Sequence, residues 1–203
     1  MIIVAIVFET NSYNSNRVST IRVACIGDSI TELTNYPSDL QNMLGDSYIV
    51  RSFGVSGSTV LIDTYTPYFY QIAFTLTKKF LPDMVIVMLG TNDARTDNFK
   101  SIDNFVTDYM KLISRIQTIE SKPRIFLVKP PPIFDNVLEL KSVNLLEGVI
   151  PRIEQVTDEL GLSIIDVYSA LENHPEYFQD GVHPNNEGAK IIAEEVYKTI
   201  ILS

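Results

Sequence analysis

The sequence is poor in the residues that form disulfides, metal clusters and cationic surfaces. Its one cysteine, Cys25, excludes an intrachain disulfide and a cysteine-based metal cluster, and its place in the apolar run IRVACI predicts a buried thiol. The two histidines, His174 and His183, are not at metal-ligand spacing, so we expect no metal and no cofactor. The 16 basic residues against 25 acidic ones give a net charge of −9, which disfavours nucleic acid or an anionic membrane as a partner.

The sequence also lacks any run near the ~20 apolar residues of a membrane-spanning helix, so we expect no membrane span. The apolar start MIIVAIVF has neither a basic flank nor a cleavage site behind it. It is compatible with the remnant of a secretion signal, an additional strand or a cloning artefact, so a cytoplasmic and an exported location both stay open. We predict an N-terminal segment and linker over residues 1–20 and one domain over 21–203. The oligomeric state is not indicated.

Short apolar runs recur along the domain and predict five strands: IRVACI (21–26), YIVRSF (48–53), MVIVML (84–89), RIFLVK (124–129) and LSIIDV (162–167). Continuous apolar runs are typical of strands covered on both faces, as in a parallel sheet. The amphipathic stretches between them predict helices, one of which should be kinked or divided at Pro151. Residues 58–82 predict an aromatic-rich loop that leads into a helix. The alternation predicts an α/β protein, a three-layer α/β/α sandwich around a five-stranded parallel sheet.

Small polar motifs follow three of these strands: GDSIT at 27–31, FGVSG at 53–57 and GTND at 90–93. Because the carboxyl ends of parallel strands meet at one edge, we expect Ser29, Gly54 and Asn92 to lie within reach of one another. Ser29 has two interpretations, a cap of the helix that follows or a nucleophile. The second requires a base, a group that orients the base, and donors for an oxyanion.

His183 is the better candidate for the base. It lies in DGVHP, three residues after Asp180, and Pro184 biases it toward an extended backbone on a fixed loop. That loop can carry the base and its orienting carboxylate together. His174 lacks such a setting, and we expect it on a surface loop.

With DGVHP as the fourth, these blocks stand in the order and spacing that resemble the SGNH (GDSL-type) esterase superfamily, over residues 21–202. The resemblance implies a flavodoxin-like SGNH hydrolase fold with Ser29 as the nucleophile. It implies His183 as general base and then acid, with Asp180 orienting it. It further implies an oxyanion hole made of the backbone N–H groups of Ser29 and Gly54 and the side-chain amide of Asn92.

The sequence departs from the family pattern at two places. The family often has a glycine soon after GDSIT, and its absence here suggests an individual loop beside the nucleophile. The family also often has an asparagine two residues before the second-block glycine. Ser52 stands there, so we expect a supporting hydrogen bond to be missing. The absence of a G-x-S-x-G elbow speaks against the α/β-hydrolase fold.

Candidate substrate contacts are Asp28, Arg95, Asn98 and Tyr65. Asp28 is expected chiefly to shape the turn before the nucleophile, and Asp93 has the same interpretation after Asn92. The aromatic set Tyr65, Tyr68, Phe69 and Tyr70 predicts either a site for sugar or acyl groups or plain packing.

Segments such as LPDMVIVMLGTND and DGVHPNNEG resemble those of the small bacterial carbohydrate esterases, including sialate and xylan O-acetylesterases. The resemblance implies a small-molecule or carbohydrate ester as substrate, and acetyl as its acyl group. A lysophospholipase or thioesterase is the alternative among enzymes, and it requires a longer apolar groove. A non-catalytic carbohydrate-binding module is the alternative outside enzymes, and it predicts loss of Ser29, Asn92 or His183. Nucleotide binding is disfavoured because GDSIT is too short and acidic to cradle a phosphate.

Overall fold

The protein is described by a computed structural model over residues 20–202. Its sheet contains the strands β1 (Ile21–Gly27), β2 (Tyr48–Gly54), β3 (Met84–Met88), β4 (Arg124–Lys129) and β5 (Ser163–Asp166). The strand order is β2-β1-β3-β4-β5 and every pairing is parallel, which is the flavodoxin-like order. The predicted five-stranded parallel sheet is confirmed. The N-terminal segment predicted over residues 1–20 lies, apart from Thr20, outside the described residues.

Helices connect the strands. The α-helices of residues 20–202 are α1 (Ser29–Leu33), α2 (Tyr36–Leu44), α3 (Ile72–Phe80), α4 (Phe105–Gln117), α5 (Ile150–Leu160), α6 (Val167–Leu171) and α7 (Asn186–Leu202). Short 3₁₀ turns cover Tyr68–Tyr70, Asn92–Ala94, Asn98–Asn104 and Pro175–Tyr177, and a π-helical turn covers Asn144–Val149. Pro151 is the second residue of α5, which directly follows the π-helical turn, so the predicted boundary between two helical segments falls there.

The sheet separates two apolar cores, one on each face. Helices α3, α4 and α5 cover the face onto which Ala24 and Ile26 of β1 project. Helices α1, α2, α6 and α7 cover the opposite face, onto which Val23 and Cys25 project. Burial raises the pKa of the Cys25 thiol to about 12, in keeping with the buried thiol that the sequence predicts. The predicted three-layer arrangement is therefore confirmed.

The strand register aligns the motifs at one edge of the sheet. Gly27 at the end of β1 pairs with Gly54 of β2 on one side and with Met88 of β3 on the other. The chain segments that leave these strands therefore start side by side. Within residues 20–202, no helix combines the length and the apolar character that crossing a membrane requires.

Candidate active site

Ser29 is the first residue of α1, directly beyond the end of β1. The N-cap of this helix is Asp28, whose Oδ1 accepts a hydrogen bond from Ile30 N at 2.9 Å. Asp28 is almost fully buried, and burial raises the pKa of its carboxyl to about 6. Capping is therefore the work of Asp28, as expected, and its burial leaves it no surface for a substrate. The Ser29 hydroxyl is free for another partner.

That partner is His183, whose Nε2 lies 2.8 Å from Ser29 Oγ across 154 residues of sequence. The other ring nitrogen, Nδ1, lies 2.7 Å from Asp180 Oδ2. An ionised carboxylate can only accept, so Nδ1 carries the proton and Nε2 is left as the acceptor that faces the serine hydroxyl. The geometry places Ser29, His183 and Asp180 in one hydrogen-bonded chain.

Asp180 also fixes the backbone of the loop that carries the histidine. Its Oδ1 accepts hydrogen bonds from Val182 N at 2.9 Å and from His183 N at 2.7 Å. Partial burial opposes ionisation, but these backbone bonds and the contact with the imidazole hold the pKa of Asp180 below its usual value. Asp180 and His183 thus belong to one hydrogen-bonded turn. His174 lies elsewhere on the surface, hydrogen-bonded to Glu176 and stacked on Tyr177, as expected of a loop residue.

Asn92 follows β3 on the other side of the site. One hydrogen of its side-chain amide is donated to Ser58 O at 3.1 Å, which leaves a second hydrogen for a ligand. Asn98 donates to Asn92 O at 2.8 Å and is mostly buried, so it positions the asparagine from behind. The next residue, Asp93, is fully buried and accepts from Val60 N and Leu61 N at 3.0 and 2.9 Å. Burial raises the pKa of Asp93 to about 7, and its role is structural, as expected.

The orientation of the Gly54 N–H does not fit the oxyanion-hole role that the family resemblance implies. Val55 N donates to Gly27 O of β1 at 3.0 Å, and successive backbone groups of a strand face opposite sides, so Gly54 N–H points away from β1. Because β2 is the edge strand, that direction also leads away from Asn92, which follows β3. Gly54 N–H lies instead 3.4 Å from Ser52 Oγ. Glycine is required here for packing, since a Cβ would lie 2.4 Å from Glu32 N of α1.

The turn after β2 contains a further backbone donor, the N–H of Gly57. Ser58 N donates to Val55 O at 3.1 Å and closes a turn that contains Gly57. One side of this turn is held by Glu32, which accepts from Ser56 N at 2.7 Å, and the other side contacts Asn92 through Ser58 O. Gly57 is exposed, and no described residue accepts a hydrogen bond from its N–H. The sequence signal for it was the second glycine of FGVSG.

Ser52 forms a hydrogen bond at the position where the sequence predicts that a supporting hydrogen bond is missing. Its hydroxyl donates to Thr31 O at 2.9 Å and so joins β2 to α1. A supporting hydrogen bond is therefore present at this position, although the sequence predicts that it is missing.

The remaining candidate contacts lie on the Asn92 side of the site. Tyr65 projects into solvent with 93% of its surface exposed, and with Asn98 it borders a small cleft of about 330 Å³. Arg95 is held in a bidentate pair with Asp97, at 2.7 and 2.8 Å, which commits its guanidinium to that carboxylate. Tyr68 belongs to the core and donates to Phe53 O. Over residues 20–202, no three histidine, cysteine or acidic side chains converge on a point where a metal ion could bind.

Comparison with known proteins identifies the family of the chain. The sequence model of the GDSL-like Lipase/Acylhydrolase family matches residues 25–191. An acetylxylan esterase of Xylanibacter ruminicola is 32% identical over 206 residues, which cover 89% of this chain and 43% of that protein. The chain spans about half the length of the curated relatives that it matches.

Solved structures share the fold. A carbohydrate acetylesterase family member from Sinorhizobium meliloti superposes with a TM-score of 0.71 at 21% identity, covering 90% of this chain and 98% of that one. The aryl esterase of M. smegmatis superposes with a TM-score of 0.72 at 18% identity, covering 90% and 99%. At these identities the likeness shows the fold alone.

Proposed function

Because the chain belongs to the GDSL-like lipase/acylhydrolase family, we propose that it hydrolyses acetyl esters of carbohydrates through an acyl-enzyme on Ser29. The observation that carries the proposal is the unbroken chain of hydrogen bonds from Asp180 through His183 to Ser29, at 2.7 and 2.8 Å. A nucleophile with a base in hydrogen-bond reach, and a third group that orients the base, is the arrangement that acyl transfer requires.

In the first half of the reaction Ser29 Oγ attacks the ester carbonyl carbon and its proton passes to His183 Nε2. The imidazolium that forms is stabilised by the ionised Asp180. The tetrahedral intermediate then collapses, the bond to the alcohol oxygen breaks, and His183 returns the proton to that oxygen. In the second half water attacks the acetyl-serine, with His183 again taking and then returning a proton. Protonated His183 cannot accept the serine proton, so we expect the rate to fall in acid.

The negative charge on the carbonyl oxygen needs donors that are in place beforehand. We assign this role to the backbone N–H of Ser29, the side-chain amide of Asn92 and the backbone N–H of Gly57, with Gly57 in place of Gly54. The support for Gly57 is its exposed N–H on a turn that contacts both α1 and Asn92. A crystal structure of a phosphonate adduct tests the assignment. The phosphonyl oxygen should lie about 3 Å from Gly57 N. Contact with Gly54 N instead would restore the original assignment.

The choice of acetyl and carbohydrate rests on the relative named as an acetylxylan esterase, at 32% identity. Cleavage of long acyl chains, as in a lysophospholipase or thioesterase, requires an extended apolar groove at the nucleophile. Among residues 20–202, the cleft on the Asn92 side is lined by acidic, hydroxyl and amide side chains, and the cleft on the Asp180 side by polar and apolar side chains together. This composition favours a small acyl group and a polar alcohol.

A panel of esters tests the proposal. The purified chain is assayed with 4-nitrophenyl acetate, butyrate and octanoate, and with acetylated xylo-oligosaccharides. We expect acetate to be preferred over octanoate, and Ser29→Ala to lower kcat/KM by roughly 10⁴-fold or more on every substrate. Turnover that survives in Ser29→Ala would rule out the nucleophile. A preference for octanoate would favour the lipid or thioester alternative. No turnover of any ester would favour a binding module.

A further inference from the structure

A second, larger cleft of about 620 Å³ lies on the histidine side of the site. One wall is the segment 133–143, which follows β4 and so leaves the sheet at its carboxyl edge. The other wall includes Pro175, Phe178, Gln179 and Gly181, the last two of which flank Asp180. None of the residues that sequence analysis singled out as substrate contacts lines it. It nevertheless includes Gln179 and Gly181, which belong to the loop that carries Asp180 and His183.

The first wall is an ordered structure rather than a loose loop. The side chain of Asn136 stabilises its backbone: the amide nitrogen donates to Phe134 O and Leu140 O at 2.8 and 2.9 Å. Its amide oxygen accepts from Leu138 N and Leu140 N at 2.9 and 3.3 Å. One side chain thus makes four bonds across seven residues of backbone, from Phe134 to Leu140. A wall held in this way can present its outward side chains in a fixed geometry.

The wall is attached to both catalytic loops. On the histidine side Phe134 N donates to Gly181 O at 2.8 Å, and a Cβ on Gly181 would lie only 2.1 Å from Asp135 O. On the Asn92 side Lys141 N donates to Ala94 O at 3.3 Å, and Thr96 N donates to Glu139 O at 3.2 Å. The cleft therefore keeps a constant position relative to the reacting atoms.

The side chains that line the cleft are of mixed character. Asp135, Lys141, Ser142 and Gln179 are exposed, and none of their side chains forms a hydrogen bond or ion pair with another described residue. Val143, 53% exposed, provides an apolar patch at the rim. One acid and one base leave the lining without net charge. Free donors and acceptors beside an apolar patch suit a sugar ring, which has equatorial hydroxyls and apolar C–H faces.

We propose that this cleft binds the sugar of the ester, that is, the alcohol that leaves in the first half of the reaction. The inference rests on the proposed function and adds to it the place of the leaving group. The chemistry fixes the side: the leaving oxygen takes its proton from His183, so the alcohol must lie next to the histidine loop, and the cleft shares Gln179 and Gly181 with that loop. The acetyl group needs no comparable space.

The test compares two esters that share an acetyl group and differ in the alcohol. In Lys141→Ala/Gln179→Ala we expect kcat/KM for acetylated xylo-oligosaccharides to fall about tenfold, from two lost hydrogen bonds to the ligand. For 4-nitrophenyl acetate, whose alcohol has no hydroxyls for these side chains to bind, we expect less than about a twofold change. Val143→Trp, at an exposed position, should narrow the cleft and give the same split. Lys79→Ala is the matched control, because Lys79 is exposed at the end of α3.

The outcomes separate this inference from the proposed function. Equal losses on both esters, or no loss on the sugar ester, would overturn the cleft assignment while the Ser29-dependent activity stands. Cleavage of 4-nitrophenyl acetate with no cleavage of any acetylated sugar would also overturn it. Activity that does not depend on Ser29 would instead overturn the proposed function itself.

Discussion

Asp180 and Asp93 lie on opposite sides of the site and make the same kind of hydrogen bonds to backbone, but their pKa values are shifted in opposite directions. Each carboxylate accepts hydrogen bonds from two consecutive backbone N–H groups and so fixes a loop. Asp180 is half exposed and its pKa is lowered, whereas Asp93 is fully buried and burial raises its pKa to about 7. Asp180 has an oxygen left for His183, and both oxygens of Asp93 are used on backbone.

In the proposed mechanism, loop fixation and catalysis are therefore separable uses of one hydrogen-bonding arrangement. A carboxylate can stabilise an imidazolium only if it is itself ionised and has a free lone pair directed at the ring. Solvent contact and backbone donors keep Asp180 ionised. Complete burial makes the ionised form of Asp93 energetically unfavourable. The role of Asp93 is to hold the backbone of residues 60–61 beside Asn92.

The largest expected difference between the two aspartates concerns turnover. Asp180→Asn keeps an oxygen for the backbone N–H groups but removes the charge and the acceptor that set the histidine tautomer. We predict a fall in kcat of roughly 10³–10⁴-fold on 4-nitrophenyl acetate. The melting temperature serves as the control and should stay near the wild-type value. A fall below tenfold would mean that Asp180 only fixes the loop, as Asp93 does.

The oxyanion side should show a smaller loss of turnover. Asn92→Ala removes one of three proposed donors and leaves the Ser29–His183–Asp180 chain intact. We predict a fall in kcat of roughly 10²–10³-fold with a much smaller change in KM. Asn98→Ala, which removes only the bond to Asn92 O, should cost less. An unchanged kcat in Asn92→Ala would remove the asparagine from the oxyanion hole.

Asp93→Asn should change stability more than turnover. The amide group can accept from only one of Val60 N and Leu61 N, so one buried N–H is left without an acceptor, at a cost of about 1–3 kcal/mol. We predict a melting temperature lowered by roughly 4–10 °C and a kcat within about tenfold of wild type. A loss of turnover equal to that of Asp180→Asn, at a temperature well below melting, would give Asp93 a part in the chemistry.

The smallest predicted effect is in how stability depends on pH. The pKa of Asp93 is raised from 3.8 to about 7, so the folded protein holds a proton in this range that the unfolded chain has lost. This group therefore stabilises the fold more at pH 5 than at pH 8. The pKa of Asp180 is lowered, so its contribution is fully present above the usual range and is lost only below it.

Calorimetry of Asp93→Asn and of the wild type at pH 5 and pH 8 checks the direction of the Asp93 shift. The deficit of Asp93→Asn relative to wild type should be larger at pH 5 than at pH 8, by about 2–5 °C. A deficit of Asp93→Asn that grows toward pH 8 would contradict the assigned direction of the Asp93 shift.

Much of this arrangement was predictable from the sequence, and the reason is local. The first three strands are short apolar runs that each end at a polar motif, and the carboxyl ends of neighbouring parallel strands lie together, so Ser29 and Asn92 could be named. His183 could be named from its own loop, because DGVHP places Asp180 three residues before it. The proper roles of Asp28 and Asp93 followed from the turns in which they stand.

The failures depend on tertiary structure. Whether Gly54 or Gly57 faces the site depends on β2 being the edge strand, because that decides where each backbone N–H points. The substitute role of Ser52 depends on how closely α1 approaches β2. The wall 133–143 carries no catalytic residue type in a recognisable pattern, and its closeness to Gly181 arises only when the chain is folded.

The central claim is that His183 and Asp180 make Ser29 the one activated nucleophile, and covalent labelling measures this most directly. The chain is treated with a fluorophosphonate, and the intact mass and the labelled peptide are determined by mass spectrometry. We predict one adduct per chain, located on Ser29, absent from Ser29→Ala and formed far more slowly in His183→Ala. An adduct on another residue, or equal labelling of Ser29→Ala, would contradict the account.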